Sequence, residues 1–374
     1  MHIERLACTQ WRNLADQTIE FSPGVNLLIG ENGHGKTNIL EAIQFFKFGR
    51  SFRTHRDTEL IRFGESFCRA EVSAVFGGGD RDRFAAAIET NGNKKVSISD
   101  NDVIRMSELV GRYPCVLFGP QDISIVSGEP ALRRRFVDSV GSMTDTAFIR
   151  AAREYQRVLR QRNAALKARV NDAELNAWNE QIISAGTELI ERRRRLVAVL
   201  EQEVQARAVE LGAGHAFRLR YESTLLRDAD RMAAGVGGED DPPSLADVFA
   251  MKLGALESEE RRRMTTLAGP HRDDVALRLD GHDLRKYGSQ GQRRLFAILL
   301  KLAELSHLER ELKEKCVLLL DDVFSEFDRD VTARLQTVFD GTRQVLVTSP
   351  VDLEWAGNPG QTRVLHIRAG TVAT

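Results

Sequence analysis

The chain has 374 residues, a net charge of −1, 42% apolar and 29% charged side chains. That length predicts two lobes, and no apolar run approaches the ~18 residues of a helical membrane span, so membrane-spanning helices are excluded. The near-balanced charge means that any affinity for nucleic acid has to come from local patches. Met1-His2-Ile3-Glu4-Arg5 lacks a signal-peptide pattern, and Cys8, Cys68, Cys115 and Cys316 form no C-x-x-C pair. They read as reduced, mostly buried thiols of a cytoplasmic protein.

Residues 1–120 read as mixed α/β structure. Ile3–Cys8 and Gln17–Phe21 are strand-like and straddle a turn at Trp11-Arg12-Asn13-Leu14. Val25–Ile29 is an apolar run suited to a buried strand, and Ile39, Leu40, Ile43 and Phe46 recur at helical spacing. Between them Gly30–Thr37, GENGHGKT, fits G-x-x-x-x-G-K-[ST] at every fixed position. Strand, glycine loop and helix together predict a phosphate-binding loop. Gly30, Gly33 and Gly35 let backbone N–H groups curl around phosphate oxygens, and Glu31, Asn32, His34 and Asn38 belong to the same nucleotide-binding stretch. Lys36 is expected to pair with the β- and γ-phosphates and the Thr37 hydroxyl to ligate Mg²⁺; His34 fills a variable position.

The following FGRSFRT (Phe48–Thr54) is basic and aromatic at once and reads equally as a partly buried connector or as a surface facing nucleotide or nucleic acid. Cys68–Phe76 and Arg83–Thr90 predict a hairpin with a Gly77-Gly78-Gly79-Asp80 tip, and Asn91-Gly92-Asn93 a second one. Val116-Leu117-Phe118 then leads into Gly119-Pro120-Gln121-Asp122.

Beyond this point long helices are expected. Ala152, Tyr155, Leu159, Leu166 and Val170 mark one, and Leu175 through Leu211 a second, antiparallel to it and meeting it near Asn171-Asp172. About 35 residues at 1.5 Å rise give an arm of only ~50 Å. Between Ala131 and Arg220 there are 17 basic and 11 acidic side chains, densest at Arg133–Arg135 and Arg192–Arg195. Such runs read either as a solvated face or as phosphate-backbone contacts. Asp228–Pro243 is expected to be a mobile loop, Leu245–Met264 a helix, and Val275–Leu279 a strand that resumes the α/β domain.

Cys316–Leu320 is an apolar strand ending in Asp321 and Asp322. Asp321 is positioned to hold Mg²⁺ beside Thr37, and Asp322 to act as general base on the attacking water. Upstream, Tyr287-Gly288-Ser289-Gln290-Gly291-Gln292 opens a helix whose buried face is Leu295, Ile298, Leu299, Leu302, Leu305 and Leu308. On its own this start reads as an ordinary N-cap, although Ser289 and Gly291 at a helix N-terminus also suit an anion. His271 lies beside Asp273 and Asp274, but no second Cys or His stands at ligand spacing, so a structural or interface role is favoured over a metal.

The order GENGHGKT, Gln121, YGSQGQ, LLLDD, SEFD resembles the Walker A, Q-loop, signature, Walker B and D-loop of ABC-type ATPase heads. Within that superfamily NGHGKTNILEAI, FGRSFRTHRD, LFGPQDI, AGPHRDD and YGSQGQRRLFAILLKLAE resemble the RecF family, related to SMC heads, over nearly the whole chain. The resemblance implies an α/β, SMC-head-like P-loop ATPase domain in two halves, 1–125 and 266–374, with an all-helical arm inserted at 126–265. It implies that Ser289, Gly291 and Gln292 act in trans on ATP held by a second copy, and that Gln121 touches Mg²⁺ and senses the γ-phosphate. It further implies a weak, DNA-stimulated ATPase that clamps double-stranded and gapped DNA as an ATP-dependent homodimer. RecR and RecO are the implied partners in loading RecA.

Two positions depart from the broad ABC pattern. Asp322 replaces the usual catalytic glutamate, and Thr348 stands where a switch histidine is expected, so slow turnover is predicted. The alternatives are an SMC-like structural ATPase, which needs a far longer coiled coil, and a transporter ATPase subunit, which needs a compact helical subdomain in place of an arginine-rich arm.

Overall fold

The structure, a computed structural model, describes residues 1–103, 108–235, 243–324, 329–339, 343–355 and 362–373. The first elements are β1 (His2–Thr9), β2 (Gln17–Glu20), β3 (Val25–Ile29) and α1 (Lys36–Gln44). Then come β4 (Phe67–Val75), β5 (Arg81–Glu89), β6 (Lys94–Ile98), β7 (Asn101–Asp102) and β8 (Cys115–Phe118). Helices α2 (Ile123–Ser127), α3 (Pro130–Thr144), α4 (Thr146–Ala168) and α5 (Asp172–Glu210) follow, then β9 (Phe217–Glu222), α6 (Thr224–Gly235) and α7 (Leu245–Arg263). The remainder is β10 (Asp274–Leu279), β11 (His282–Asp283), α8 (Leu284–Tyr287), α9 (Gln290–Leu312), β12 (Val317–Asp321), α10 (Arg329–Phe339), β13 (Val345–Ser349), β14 (Thr362–Arg368) and β15 (Thr371–Ala373).

By contacts these elements separate into two compact units, Met1–Asp122 with Glu304–Thr374, and Ile123–Ala303. The first holds two six-stranded sheets. One is antiparallel, in the order β2-β1-β4-β5-β6-β7; the other, β15-β14-β3-β13-β12-β8, is parallel except for β15. Both predicted hairpins form, pairing Val75 with Arg81 and Ile88 with Lys94. Period-2 alternation buries Cys68, Ala70, Val72 and Ala74 on β4 and Phe84, Ala86 and Ile88 on β5. On β1 the inward residues are Ile3, Leu6 and Cys8, and a bulge between Ile3 and Arg5 absorbs the three-residue step. These side chains share one core with Ile39, Leu40, Ile43, Phe45 and Phe46 after the glycine loop, and Trp11 plugs the β1–β2 turn at 0% exposure.

Parallel strands covered on both faces become continuous apolar runs, and all five residues of β3, β12 and β13 are buried. Truncating Leu319, in the middle of β12, to alanine is expected to cost about 2–5 kcal/mol. All four cysteines are buried and free, and burial raises the thiols of Cys8 and Cys68 to about 12.

In the second unit α4 ends at Arg169 in the left-handed conformation, and Asn171 caps α5 by accepting the Glu174 N–H, so the helices meet where the sequence places the junction. Strand β10 pairs antiparallel with β9 across Asp274↔Glu222 to Leu279↔Phe217. The Val275–Leu279 strand therefore belongs to a three-stranded sheet of this unit, and the contact division falls inside α9, not near residue 265.

The expected loop at Asp228–Pro243 needs correction. Helix α6 runs to Gly235, because Leu225 is buried and Asp228 pairs with Lys252 of α7 at 2.9 Å. The run Arg227–Ala234 also has adequate helix propensity, which the nearby Gly and Asp residues masked. Residues 236–242 lie outside the described residues.

Candidate nucleotide site

The glycine loop is shaped by what surrounds it. Gly35 adopts φ +101°, and a Cβ there would stand 2.9 Å from Asn13 Oδ1. Gly30 passes so close to β14 that a Cβ would sit 2.2 Å from the Ile367 carbonyl oxygen. Gly35 is also the N-cap of α1 and supplies no side-chain acceptor, so the first N–H groups of that helix face the loop. Asn13, which the sequence reading missed, braces the loop: its Nδ2 donates to Gly33 O at 2.9 Å and its Oδ1 accepts from Asn38 Nδ2 at 2.7 Å.

Lys36 is nearly buried and donates to the carbonyls of Gly30 and, at 2.9 Å, Glu31. Burial lowers its pKa, and the charges of Asp322 and Asp321 oppose that shift. Thr37 Oγ1 donates to Asp321 Oδ1 at 2.8 Å, joining residues 284 apart in sequence. This happens because β12 and β3 flank β13 in register, so the ends of all three strands face the same edge. Burial pushes the Asp321 carboxyl upward, against the hydrogen bonds from Thr348 and Thr37. Asp322 follows in the left-handed conformation, φ +51°.

A cleft of about 290 Å³ lies over these groups, lined by Asn32, Gly33, Gly35, Lys36, Thr37, Asn38, Asp321 and Asp322, and by Arg53, Pro120 and Thr348. The last three were not among the expected site residues. Of the expected ones, Gly30 and Glu31 form the loop's backbone away from the wall. The His34 carbonyl accepts from Gly370 N at 2.9 Å, which fixes the loop from behind. Gln121 is exposed and its amide folds back over Gly119; Pro120, its neighbour, reaches the cleft instead. In FGRSFRT both open readings hold in part: Ser51 is buried and donates to Glu41 Oε1 at 2.5 Å, whereas Arg53 donates to Asn38 Oδ1 at 2.6 Å at the cleft wall.

Thr37 and Asp321 supply hard oxygen donors, which suit Mg²⁺, an ion that takes one or two protein ligands and completes its shell with phosphate and water. Among the described residues no cluster of three or more His, Cys, Asp or Glu could form an all-protein metal cage. Ser325–Asp328, read as a D-loop, lies outside the described residues.

Ser289, Gly291 and Gln292 lie in the second unit at the start of α9. Gln292 N donates to Ser289 Oγ at 3.2 Å and Ser289 N to Gln292 Oε1 at 2.9 Å, a reciprocal cap. The Ser289 hydroxyl proton and the Gln292 NH₂ remain donors in this arrangement, and open space surrounds Gly291.

The densest arginine clusters are partly internal. Arg133 forks onto Asp274 at 2.7 and 2.9 Å, and Arg193 onto Asp138 at 2.8 Å through both nitrogens; both guanidinium side chains are buried. Arg192 and Arg194 pair with Asp145 and Glu191, and Arg135, Arg194 and Arg195 are exposed. His271 is half-buried and packs against Tyr155 and Thr266. The Thr266 carbonyl can only accept, so Nε2 carries the proton and Nδ1 accepts from the Tyr155 hydroxyl. Burial lowers this imidazole to about 4, so it is neutral and structural at physiological pH.

Residues 2–355 match the RecF/RecN/SMC N terminal domain family. The DNA replication and repair protein RecF of Lysinibacillus sphaericus is 32% identical over 100% of this chain and 99% of its own length. That of Symbiobacterium thermophilum is 35% identical over 100% and 98%. A solved structure of the recombination mediator protein RecF with ATP, in the RecFOR pathway, superposes with TM-score 0.87 at 29% identity, covering 100% of this chain and 97% of that one. An Smc head bound to the C-winged helix domain of ScpA matches with TM-score 0.56 at 14% identity over 100% and 96%, a likeness of fold alone. The fold is thus the α/β head of ABC- and SMC-type ATPases with a helical insertion, and the chain belongs to the RecF family of DNA replication and repair proteins.

Proposed function

We propose that this chain is an ATP-dependent DNA-binding protein of recombinational repair and replication-fork maintenance, acting in the cytoplasm. ATP joins two copies into a clamp on double-stranded DNA at single-strand gaps, RecO and RecR use that clamp to load RecA, and slow hydrolysis releases it. The observation that carries the reading is the convergence of Lys36, Thr37 and Asp321 on one cleft, with the 2.8 Å Thr37–Asp321 bond at its centre.

In this mechanism the Lys36 ammonium exchanges the carbonyls of Gly30 and Glu31 for β- and γ-phosphate oxygens, and the uncapped N–H groups of α1 bind the phosphates from below. Thr37 and Asp321 would hold Mg²⁺, which on binding neutralises phosphate charge. Asp322 accepts a proton from the attacking water as its oxygen bonds to the γ-phosphorus and the bond to ADP breaks. Ser289, Gly291 and Gln292 of a second copy donate to the γ-phosphate; a self-satisfied cap that still has donors to offer suits that use. The Thr348 substitution and the short Asp322 carboxylate support slow turnover, with ATP acting as a timer.

For DNA, the exposed face of α4 is favoured over the arginine runs Arg133–Arg135 and Arg192–Arg195. Arg150, Arg153, Arg157, Arg160 and Lys167 are all exposed at helical spacing and span about 25 Å. Phosphate contact there needs only loose basic spacing.

The test is solution mass with ATP, with ADP and without nucleotide, using Asp322→Asn to prevent turnover. A monomer that becomes a dimer only with ATP is the expected result. A mass indifferent to ATP, with nucleotide binding confirmed, would overturn the trans role of Ser289–Gln292.

A further inference from the structure

Thr348 is 2% exposed, on β13, directly paired with Asp321 in the parallel register. Its hydroxyl makes two close bonds of opposite sense, besides a long 3.5 Å contact to the Leu320 carbonyl. It accepts the Asp322 backbone N–H at 2.9 Å and lies 2.8 Å from Asp321 Oδ1, a carboxylate oxygen to which it donates. Thr37 donates to that same Oδ1 from the other side at 2.8 Å. Asp322, held by the first bond, is in the left-handed conformation at φ +51°, a backbone state that a non-glycine residue keeps only where its surroundings enforce it. Threonine suits the task because its branched Cβ leaves few rotamers, so the hydroxyl is fixed once the strand is.

We propose that Thr348 is a positioning residue that sets the backbone of Asp322 and the carboxylate of Asp321 through one shared hydroxyl. An imidazole at this position would be long enough to act on the phosphate or the water itself. The threonine hydroxyl ends at the Leu320–Asp322 backbone and the Asp321 carboxylate, and can act on the cleft only through the two aspartates. The preceding carboxylate is locked for the metal side of the cleft, and the same atom turns the chain so that the next carboxylate leaves the sheet at a fixed angle. This inference rests on the proposed hydrolysis at the cleft, although the hydrogen bonds themselves do not.

The test compares Thr348→Val, which keeps the shape and removes the hydroxyl, with Thr348→Ser, which keeps the hydroxyl, in the full chain. Steady-state hydrolysis, ATP affinity by calorimetry and amide exchange of the peptide 317–324 are measured for each. Thr348→Val should lower kcat by about 10- to 100-fold, as small displacements of a reacting group do, with ATP affinity within about threefold. The Asp322 amide should exchange faster, and Thr348→Ser should restore both readouts. Unchanged kcat and unchanged exchange in Thr348→Val would overturn the proposal. So would equal losses in both variants with lowered melting temperatures, which would assign the side chain to packing. If the wild type and Asp322→Asn turn over alike, the general-base reading fails by itself; amide exchange at Asp322 then still decides the positioning claim.

Discussion

Two helices begin at residues expected to meet the same phosphate, and they begin differently. Helix α1 starts behind Gly35, which offers no side-chain acceptor, so its first N–H groups are left for an incoming anion. Helix α9 starts behind Ser289, whose hydroxyl and whose partner Gln292 satisfy each other's backbone. The uncapped start is backed by Asn13, Gly370 and β14. The capped start is complete in itself and can only lend its remaining donors. A helix end becomes a preformed anion site when the fold withholds the cap, and an optional one when it does not.

Installing a cap where none exists should have the largest effect. Gly35→Ser adds a competing hydroxyl to a residue at φ +101° whose Cβ would press on Asn13, and ATP binding by calorimetry should weaken by more than about 100-fold. Asp322→Asn leaves both helix starts untouched, so ATP affinity should hold while kcat falls by about 100-fold or more; a wild-type rate would remove Asp322 from its role.

The second unit is fixed by internal partners, and His271 gives that claim a pH axis. Its folded pKa, about 4, lies below the ordinary 6.5, so the unfolded chain binds the proton more tightly between those values. Its contribution is therefore full above about pH 6.5 and is lost as pH falls through about 4, amounting to about 3 kcal/mol. Urea titrations at pH 4.5 and 7 should show a smaller difference for His271→Gln than for the wild type. The smallest effect is expected from Ser289→Ala, about 1 kcal/mol of stability for a lost cap, with ATP affinity of the single chain unchanged and ATP-dependent dimerisation weakened.

The phosphate loop, the Asp321–Asp322 strand and both hairpins were legible because each is a local pattern, a period of 2 or a glycine at a required turn. The α4–α5 junction was equally plain from Asn171. Arg133 and Arg193 were not, because nothing in a run of three or four arginines says which one meets a carboxylate brought in by the fold, Asp274 in one case and Asp138 in the other. Asn13 and the role of Thr348 escaped for the same reason: each acts at the cleft through a partner or neighbour distant in sequence. At Thr348 the sequence revealed an absence, a missing imidazole, but not what the hydroxyl does. The α6 helix was hidden because Asp228–Pro243 is rich in Gly, Asp and Pro, whereas what holds the helix, buried Leu225 before that stretch and the pairing of Asp228 with Lys252, is set by the fold.

The strand order also sets a timetable for synthesis. Strand β3, five buried residues leading into the glycine loop, pairs with β13, which starts at Val345, and with β14, which starts at Thr362. The antiparallel sheet is complete by Asp102, so it can close early, while β3 waits for more than 300 residues of chain. At ~5–20 residues per second, this leaves an apolar strand without its neighbours for roughly 15–60 s on the ribosome. A nascent chain interrupted before Val345 would carry an exposed sticky edge and a phosphate loop with no sheet to anchor it. The site is among the last parts of the molecule to exist, and truncated products should be recognised by holdase chaperones and proteases rather than persist as nucleotide-binding fragments.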